Sequence, residues 1–435
     1  MKIMSVLLTV LFVFSTTAQE KRTITIQEAV AIAMENNVEV IAARNNFNTV
    51  VANVLPLTVG ANLPTVDMTA RYSHADEASQ FFTATGPKES AQNYSYSINA
   101  NYVLFDGLKK FSQMSQARTN EQSARYDMDR TGARVKLQVY EAYVNVLKAN
   151  ELLKIAIENQ KRSEEQLKRL EERNRLGAQI ISDVYKQRVQ VGSDKLALNR
   201  ARNNLNTSKA TLNSLIGLDV NTDLQLAPLD TELTYDSGSY DYAKAYDAGL
   251  QHRQDFLASV KRVESARQTL KQSRSSYYPT VNAFATYSWQ DGFLPKNSSA
   301  YRQNDRALIG LNLTVPIFSG FSTSAGVEGA NQSLQTAKSN VDNIRRQVAL
   351  DVKIALLNMQ TAYESVKLSE ENVKAAKEDL RLATERYNLG AGTLLDQITS
   401  NASYTEAEAN YVQSVYDFVL ARQQYLLATG TSDQK

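Results

Sequence analysis

The chain has no cysteine, and its 435 residues include only 7 prolines, 17 glycines, 2 histidines and 1 tryptophan. The missing thiols exclude disulfides, thiolate metal sites and a lipid-anchored N-terminal cysteine, though they assign no compartment. The two histidines, His74 and His252, stand apart and build no catalytic relay, and the glycines form no phosphate-cradling loop. No enzyme activity, cofactor or metal is expected. Charge of one sign is lacking too: 48 Lys and Arg face 46 Asp and Glu with the signs interspersed, so no basic stripe points to nucleic acid. Long apolar runs stop after the first, Ile3 to Phe14. That run follows Met1-Lys2 and precedes Ser15-Thr16-Thr17-Ala18, the pattern of a secretory signal (residues 1–18) cleaved after Ala18. About 12 apolar residues are too few to span a bilayer. An exported chain without a membrane helix is periplasmic, secreted or inserted as a β-barrel.

What the chain does contain is a repeat. Residues 103–217 align onto 316–430 at a constant offset of 213, with identities where backbone geometry is demanding. Phe105-Asp106-Gly107 lies over Phe318-Ser319-Gly320, Leu176-Gly177-Ala178 over Leu389-Gly390-Ala391, Asp183 over Asp396, and Gly217 over Gly430. A unit of about 200 residues is too long for a solenoid repeat, so two copies of one large structural unit are expected. Their bounds are 19–217 and 241–430, with 218–240 as an irregular linker and 431–435 as a tail.

Ala, Gln, Asn, Lys, Arg, Glu and Leu fill long proline-free stretches, a long-helix composition. Val348, Val352, Ala355, Met359, Ala362, Val366, Ser369, Val373, Ala376, Leu380, Ala383 and Tyr387 alternate in steps of 4 and 3, a heptad seam. The first copy carries the same seam from Val135 to Leu170. Asp106 and Ser319 suit helix N-caps, and Gly177 and Gly390 suit helix stops. The long helices then run 107–176 and 320–388, each about 100 Å at 1.5 Å per residue. Return helices follow at 180–216 and 393–428, making two antiparallel hairpins. The return helices are shorter, so 26–62 and 241–278 are expected to pack along the rest.

Between these helical segments the period switches to two. Tyr94, Tyr96, Ile98, Ala100 and Tyr102 alternate with polar residues, as do Val66, Met68, Ala70 and Tyr72. Strands are therefore expected at 63–74, 93–105, 280–291 and 306–318, joined by polar loops 75–92 and 292–305. Alternating segments of about ten residues have the length of tilted membrane strands. A half-buried soluble sheet shows the same alternation, so the pattern alone leaves both readings open. Four strands cannot close a barrel, and open edges are not tolerated in hydrocarbon. Strands in a membrane would thus require an oligomer.

The duplicated tips read Arg173 to Asp183 (RNRLGAQIISD) and Arg386 to Asp396 (RYNLGAGTLLD). With the exported start and the order helix, strand, strand, long helix, turn, return helix, they resemble the TolC family of outer-membrane efflux proteins over the whole mature chain. The resemblance implies a mainly α fold with a membrane β part. In it, a homotrimer contributes four strands per protomer to a 12-stranded barrel above a periplasmic α-helical barrel. It implies an exit duct for small molecules or proteins, with a periplasmic adaptor (membrane fusion) protein, an inner-membrane pump and outer-membrane lipid as partners. It further implies that Leu176, Gly177, Ala178, Leu389, Gly390 and Ala391 meet the adaptor. Asp396, Asp183 and Tyr387 match residues of the family's periplasmic gate. The pattern breaks at Gly392, where an arginine is expected, and at Thr399, where a second aspartate would stand. First-turn stabilisation by the helix dipole is the other reading of Asp183 and Asp396. The competing view of the chain, an exported periplasmic coiled-coil scaffold without a channel, explains the heptads but not four alternating segments.

Overall fold

Three pairs of glycines with left-handed backbone punctuate the fold, each pair separated by the repeat offset. They are Gly107 and Gly320 (φ +69° and +58°), Gly177 and Gly390 (+75° and +73°), and Gly217 and Gly430 (+77° and +71°). The structure, a computed structural model, describes residues 23–74, 92–229, 240–291 and 304–431, with 233, 294 and 302 as single positions. The expected signal peptide lies outside the described residues. So do nearly all of both polar loops, much of the second half of the linker, and the last four residues.

In chain order the elements are β1 (Thr23–Ile24), α1 (Ile26–Asn36), α2 (Val38–Thr58), β2 (Thr65–His74), β3 (Gln92–Phe105), α3 (Lys109–Arg175) and α4 (Ile181–Ile216). They continue with β4 (Gln225–Leu226), α5 (Tyr242–His252), α6 (Gln254–Ser275), β5 (Thr280–Asp291), β6 (Asp305–Thr314), α7 (Ser322–Asn388) and α8 (Leu394–Thr429). Both long helices start two residues later than the sequence suggests. The residue after each junction glycine, Leu108 and Phe321, is itself left-handed at φ +67° and +64°. A non-glycine residue there costs about 1–2 kcal/mol. Asp106 still caps its helix, accepting from the Lys110 N–H at 2.9 Å.

One compact unit comprises residues up to Ile41, Ala133–Asp241 and Ile354–Leu427. It holds the two hairpin ends. Ala29 and Ala33 of α1 pack with Val135, Val139 and Tyr143 of α3 and with Leu212 and Ile216 of α4. Thr25 and Glu28 form a reciprocal capping box on α1. The linker's short strand β4 pairs in parallel with β1. The Tyr143 hydroxyl lies 2.9 Å from the Ile24 carbonyl and 2.7 Å from that of Ala227, which fastens this ribbon to α3. The expected single helix over 26–62 breaks at Asn37. There Nδ2 donates to the Leu215 carbonyl at 2.9 Å and Oδ1 accepts from the Glu39 N–H at 2.9 Å. Gly217 sits against this break, where a Cβ would lie 2.7 Å from that of Asn36.

The other unit comprises Ala42–Gly132, Tyr242–Lys353 and residues from Ala428. Its sheet runs β2-β3-β5-β6, antiparallel throughout, leaving β2 and β6 at the margins. β2 is exposed along its whole length and most of β6 is exposed, while β3 and β5 between them are largely half-buried. β6 ends at Thr314, short of the expected 318, because Pro316 lacks a donor and restricts the residue before it. Across the sheet, the Phe284 ring lies over Gly310, where a Cβ would come within 2.6 Å of it.

The break between α5 and α6, at Arg253, carries charge. The Arg253 side chain is 7% exposed, forks onto Asp255 at 2.7 and 3.1 Å, and reaches Asp351 at 2.7 Å. Arg130 also pairs with Asp255. Burial pushes the Asp255 carboxyl up, but the bonds and charge of Arg253, with Arg130, outweigh it and hold the carboxyl below its ordinary range. A carboxyl with a lowered folded-state pKa contributes stability above its unfolded value, and that contribution disappears as pH falls through the folded one. Thermal melts followed by circular dichroism should therefore show a loss of stability below the ordinary carboxylate range, about pH 4. Asp255→Asn should lower stability at neutral pH and flatten that acid limb.

Candidate functional site

The hairpin tips are built from one backbone motif used twice. At the end of α3, the Gly177 N–H donates to the Asn174 carbonyl at 2.9 Å and the Ala178 N–H to that of Arg173 at 2.8 Å. At the end of α7, Gly390 donates to Tyr387 at 3.1 Å and Ala391 to Arg386 at 2.8 Å. These 5→2 and 6→1 bonds are a Schellman motif, with glycine in the left-handed position that a Cβ would strain. Leu176 and Leu389, one residue before each glycine, are 75% and 84% exposed. Gly177 and Gly390 have no atom within 4 Å of a built Cβ, so their surroundings are open. The tips thus present paired leucines on a turn whose shape only glycine holds without strain.

Behind the tips the copies diverge. In the second, Thr393 caps α8: Asp396 N–H donates to Thr393 Oγ1 at 3.2 Å, while Asp396 Oδ2 accepts from the Thr393 N–H at 3.0 Å and hydroxyl at 2.8 Å. The Thr393 backbone and hydroxyl bonds hold the exposed Asp396 carboxyl below its ordinary range. Thr393-x-x-Asp396 is a capping box legible in the sequence, which the sequence reading passed over. In the first copy Ile180 occupies the cap position and gives no side-chain cap. Asp183 is instead held by Gln179 Nε2 at 2.6 Å and Lys186 Nζ at 3.5 Å, and Asn174 closes the turn by donating to the Gln179 carbonyl at 2.6 Å.

Tyr387 packs with Leu170, Val184 and Leu394 in a small apolar plug just inside the tips. Its hydroxyl is buried and makes no hydrogen bond within the chain. Burial pushes the phenol up; the Asp183 charge adds to this and Arg173 opposes it. Tyr387 and Asp183 are therefore neighbours without a hydrogen bond between them, and Asp396 is engaged by its own cap. A Cβ at Gly392 would lie 3.2 Å from that of Arg386, so any side chain there requires a shift. Thr399 is exposed. Among the described residues no group of His, Asp and Glu is arranged to hold a metal ion, and no helix is long and apolar enough to cross a membrane.

The described residues thus combine a four-stranded antiparallel sheet with two duplicated helical hairpins, the parts of a channel-type fold. The family profile described as outer membrane efflux protein matches residues 30–218 and 245–431. The chain belongs to the outer membrane efflux protein family. It is 24% identical to outer membrane efflux protein BepC of Brucella suis biovar 1 over 343 residues, covering 78% of this chain and 72% of that one. It is 24% identical to outer membrane protein TolC of Vibrio cholerae over 381 residues, covering 86% and 84%. Its fold matches the crystal structure of the outer membrane protein VceC of Vibrio cholerae with a TM-score of 0.78 at 17% identity, over 93% of this chain and 96% of that one. The protein is an outer-membrane exit duct of an efflux or secretion system, with a large helical portion in the periplasm. Family membership removes the scaffold reading.

The capping box gives a direct test. Thr393→Ala should cost about 1 kcal/mol of helix stability. Amide hydrogen exchange should speed up in the first turn of α8 and stay unchanged in α4, and the Asp396 carboxyl should titrate closer to its ordinary value.

Proposed function

We propose that three copies of the chain close a 12-stranded barrel in the outer membrane, with their hairpins forming the periplasmic tunnel. The observation that carries this reading is the pair of free sheet margins, β2 and β6. Strand direction alternates across the sheet, so β2 of one copy meets β6 of the next antiparallel, and the closed cylinder has no edge. In hydrocarbon each unpaired backbone group would cost several kcal/mol. The repeats 19–217 and 241–430, with the linker 218–240 between them, are then the two halves of each protomer's wall.

The tips are the docking end. Leu176, Gly177 and Ala178 with Leu389, Gly390 and Ala391 from three copies present six equivalent apolar knobs to a periplasmic adaptor, which joins the duct to an inner-membrane pump. Asp396 supplies a ring of carboxylates near the narrow end, each fixed in place by its cap. Asp183 and Tyr387 form the closing contact, with the buried Tyr387 hydroxyl free of bonds inside its own chain. With Gly392 and Thr399 in place of the arginine and second aspartate, the closed state rests on fewer bonds.

On this reading, unheated protein from the outer-membrane fraction migrates as a trimer that collapses to a monomer on boiling. Migration as a monomer, or a water-soluble rod after lysis, removes it. Leu311→Arg places a charge on the lipid-facing side of β6 and should cost about 2–4 kcal/mol near the bilayer midplane, seen as loss of the heat-modifiable band. For the gate, planar-bilayer recordings should show lower cation preference in Asp396→Ala; unchanged selectivity removes the ring assignment. Bulky replacement of Gly177 or Gly390 should abolish export while trimers still insert.

A further inference from the structure

The two strand hairpins carry the repeat into the sheet, pair by pair. β2 maps onto β5 with a shift of 215 residues, as Thr65 to Thr280, and β3 onto β6 with a shift of 213, as Asn101 to Thr314. Under these shifts Thr65↔Asn101 becomes Thr280↔Thr314, Met68↔Ile98 becomes Ala283↔Leu311, and His74↔Gln92 becomes Trp289↔Asp305, all of them observed pairs. The ten pairs of the first hairpin reappear as the ten pairs of the second. Register in this sheet follows the repeat.

The seam between hairpins occurs once in the chain. There β3, the second strand of the first hairpin, pairs with β5, the first strand of the second. The equivalent seam joins β6 to the β2 of a following copy. Carried across with the same two shifts, Ile98↔Tyr287 becomes Leu311↔Tyr72, Asn99↔Thr286 becomes Asn312↔Arg71, and Asn101↔Phe284 becomes Thr314↔Thr69. The faces agree. Leu311 meets Tyr72 on the apolar side, while Asn312 and Thr314 meet Arg71 and Thr69 on the polar side. A slip of one residue would set Leu311 against Arg71 and mix the two faces.

Two irregularities fall into place as well. The β3–β5 ladder shifts register between Val103 and Phe105. The equivalent of Val103 is Pro316, so the residue that cannot donate stands where the ladder is already interrupted. Tyr102, Val103 and Phe105 lie beyond the last β2 pair and are matched by β5 alone. Their equivalents, Val315, Pro316 and Phe318, lie beyond the last β5 pair at Thr314 and are exposed.

We propose that β6 of one copy joins β2 of the next in this one register, with Asn312 opposite Arg71 and Thr314 opposite Thr69. Val315 and Phe318 then complete the strand against Met68 and Val66 of the neighbouring copy. The register rests on the barrel closure proposed above and fixes which residues meet within it.

The lack of native cysteine allows a direct test on the full chain in its outer membrane. Thr69, Arg71, Asn312 and Thr314 are exposed on the polar side, which an aqueous oxidant reaches through the lumen. Asn312→Cys with Arg71→Cys, and Thr314→Cys with Thr69→Cys, set Cβ atoms directly opposite, about 4.5–5.5 Å apart. The same four positions recombined, Asn312→Cys with Thr69→Cys and Thr314→Cys with Arg71→Cys, represent slips of two residues in either direction. Those Cβ atoms stand about 7–8 Å apart, beyond disulfide reach. Oxidised trimers of the first two variants should give chain-to-chain disulfides at about threefold or more the yield of the recombined two. Equal yields, a higher yield from a recombined variant, or no disulfide from any of the four in heat-modifiable trimers overturns the register. A native chain that never forms trimers overturns the closure beneath it. A second test needs no thiol. Asn312→Arg sets like charges opposite each other at Arg71 and should lower the temperature at which the trimer band is lost. Adding Arg71→Asn exchanges the two residues and should restore it. An Asn312→Arg variant without effect, or a loss that the exchange does not repair, counts equally against the register.

Discussion

A sheet with two free margins has no place in hydrocarbon. Each backbone N–H and C=O left facing lipid lacks a partner that water would supply elsewhere, so β2 and β6 must both find a strand. Neither can be satisfied within the chain, because β3 and β5 already occupy the two inner positions. The requirement passes from the strands to the rest of the protein. In the proposed cylinder of identical subunits every helix face would be repeated as well, so the seams would have to be specific between copies as well as within one.

Duplication meets part of that demand and creates the rest. The repeat conserves what local sterics dictate: a left-handed glycine at each strand-to-helix junction, at each tip and at each return-helix end. These positions were legible in the sequence because a backbone with φ near +70° admits few residues other than glycine. The alternating strands were legible for a similar reason, since the side-chain period of two belongs to the strand itself. The helix breaks at Asn37 and Arg253 were not. Local bonds at Asn37 and Asp255 hold the new helix starts, but the breaks also sit where Gly217 and Gly430 press against Asn36 and His252, so closely that a Cβ on either glycine would come within 2.7 Å of them.

The candidate site divides in the same way. The Schellman turns could be read from Leu-Gly-Ala, and the structure adds only how open they are. The bonds of Asp396 could have been read from Thr393-x-x-Asp396, a capping box, whereas those of Asp183 to Gln179 and Lys186 follow no such motif. Asp183 and Asp396 are identical in sequence position and differ in chemistry, because Thr393 is a capping residue and Ile180 is not. One lies between Gln179 and Lys186, and the other is fastened to its own helix start.

Capping and pore charge are compatible roles for Asp396. The Thr393 backbone and hydroxyl bonds favour the carboxylate over the acid, and the side chain stays exposed, so in the proposed ring the charge would be open to whatever passes. At the first tip the equivalent carboxylate is nearly buried, with Lys186 Nζ 3.5 Å away. Two repeats that began alike have thus divided the work. The first hairpin keeps a packed start with its carboxylate nearly buried, and the second carries the exposed carboxylate together with the buried Tyr387 hydroxyl. In the proposed duct, cation preference in the narrow part would then come from the second hairpin, where Thr393 fixes the carboxylate at the start of α8.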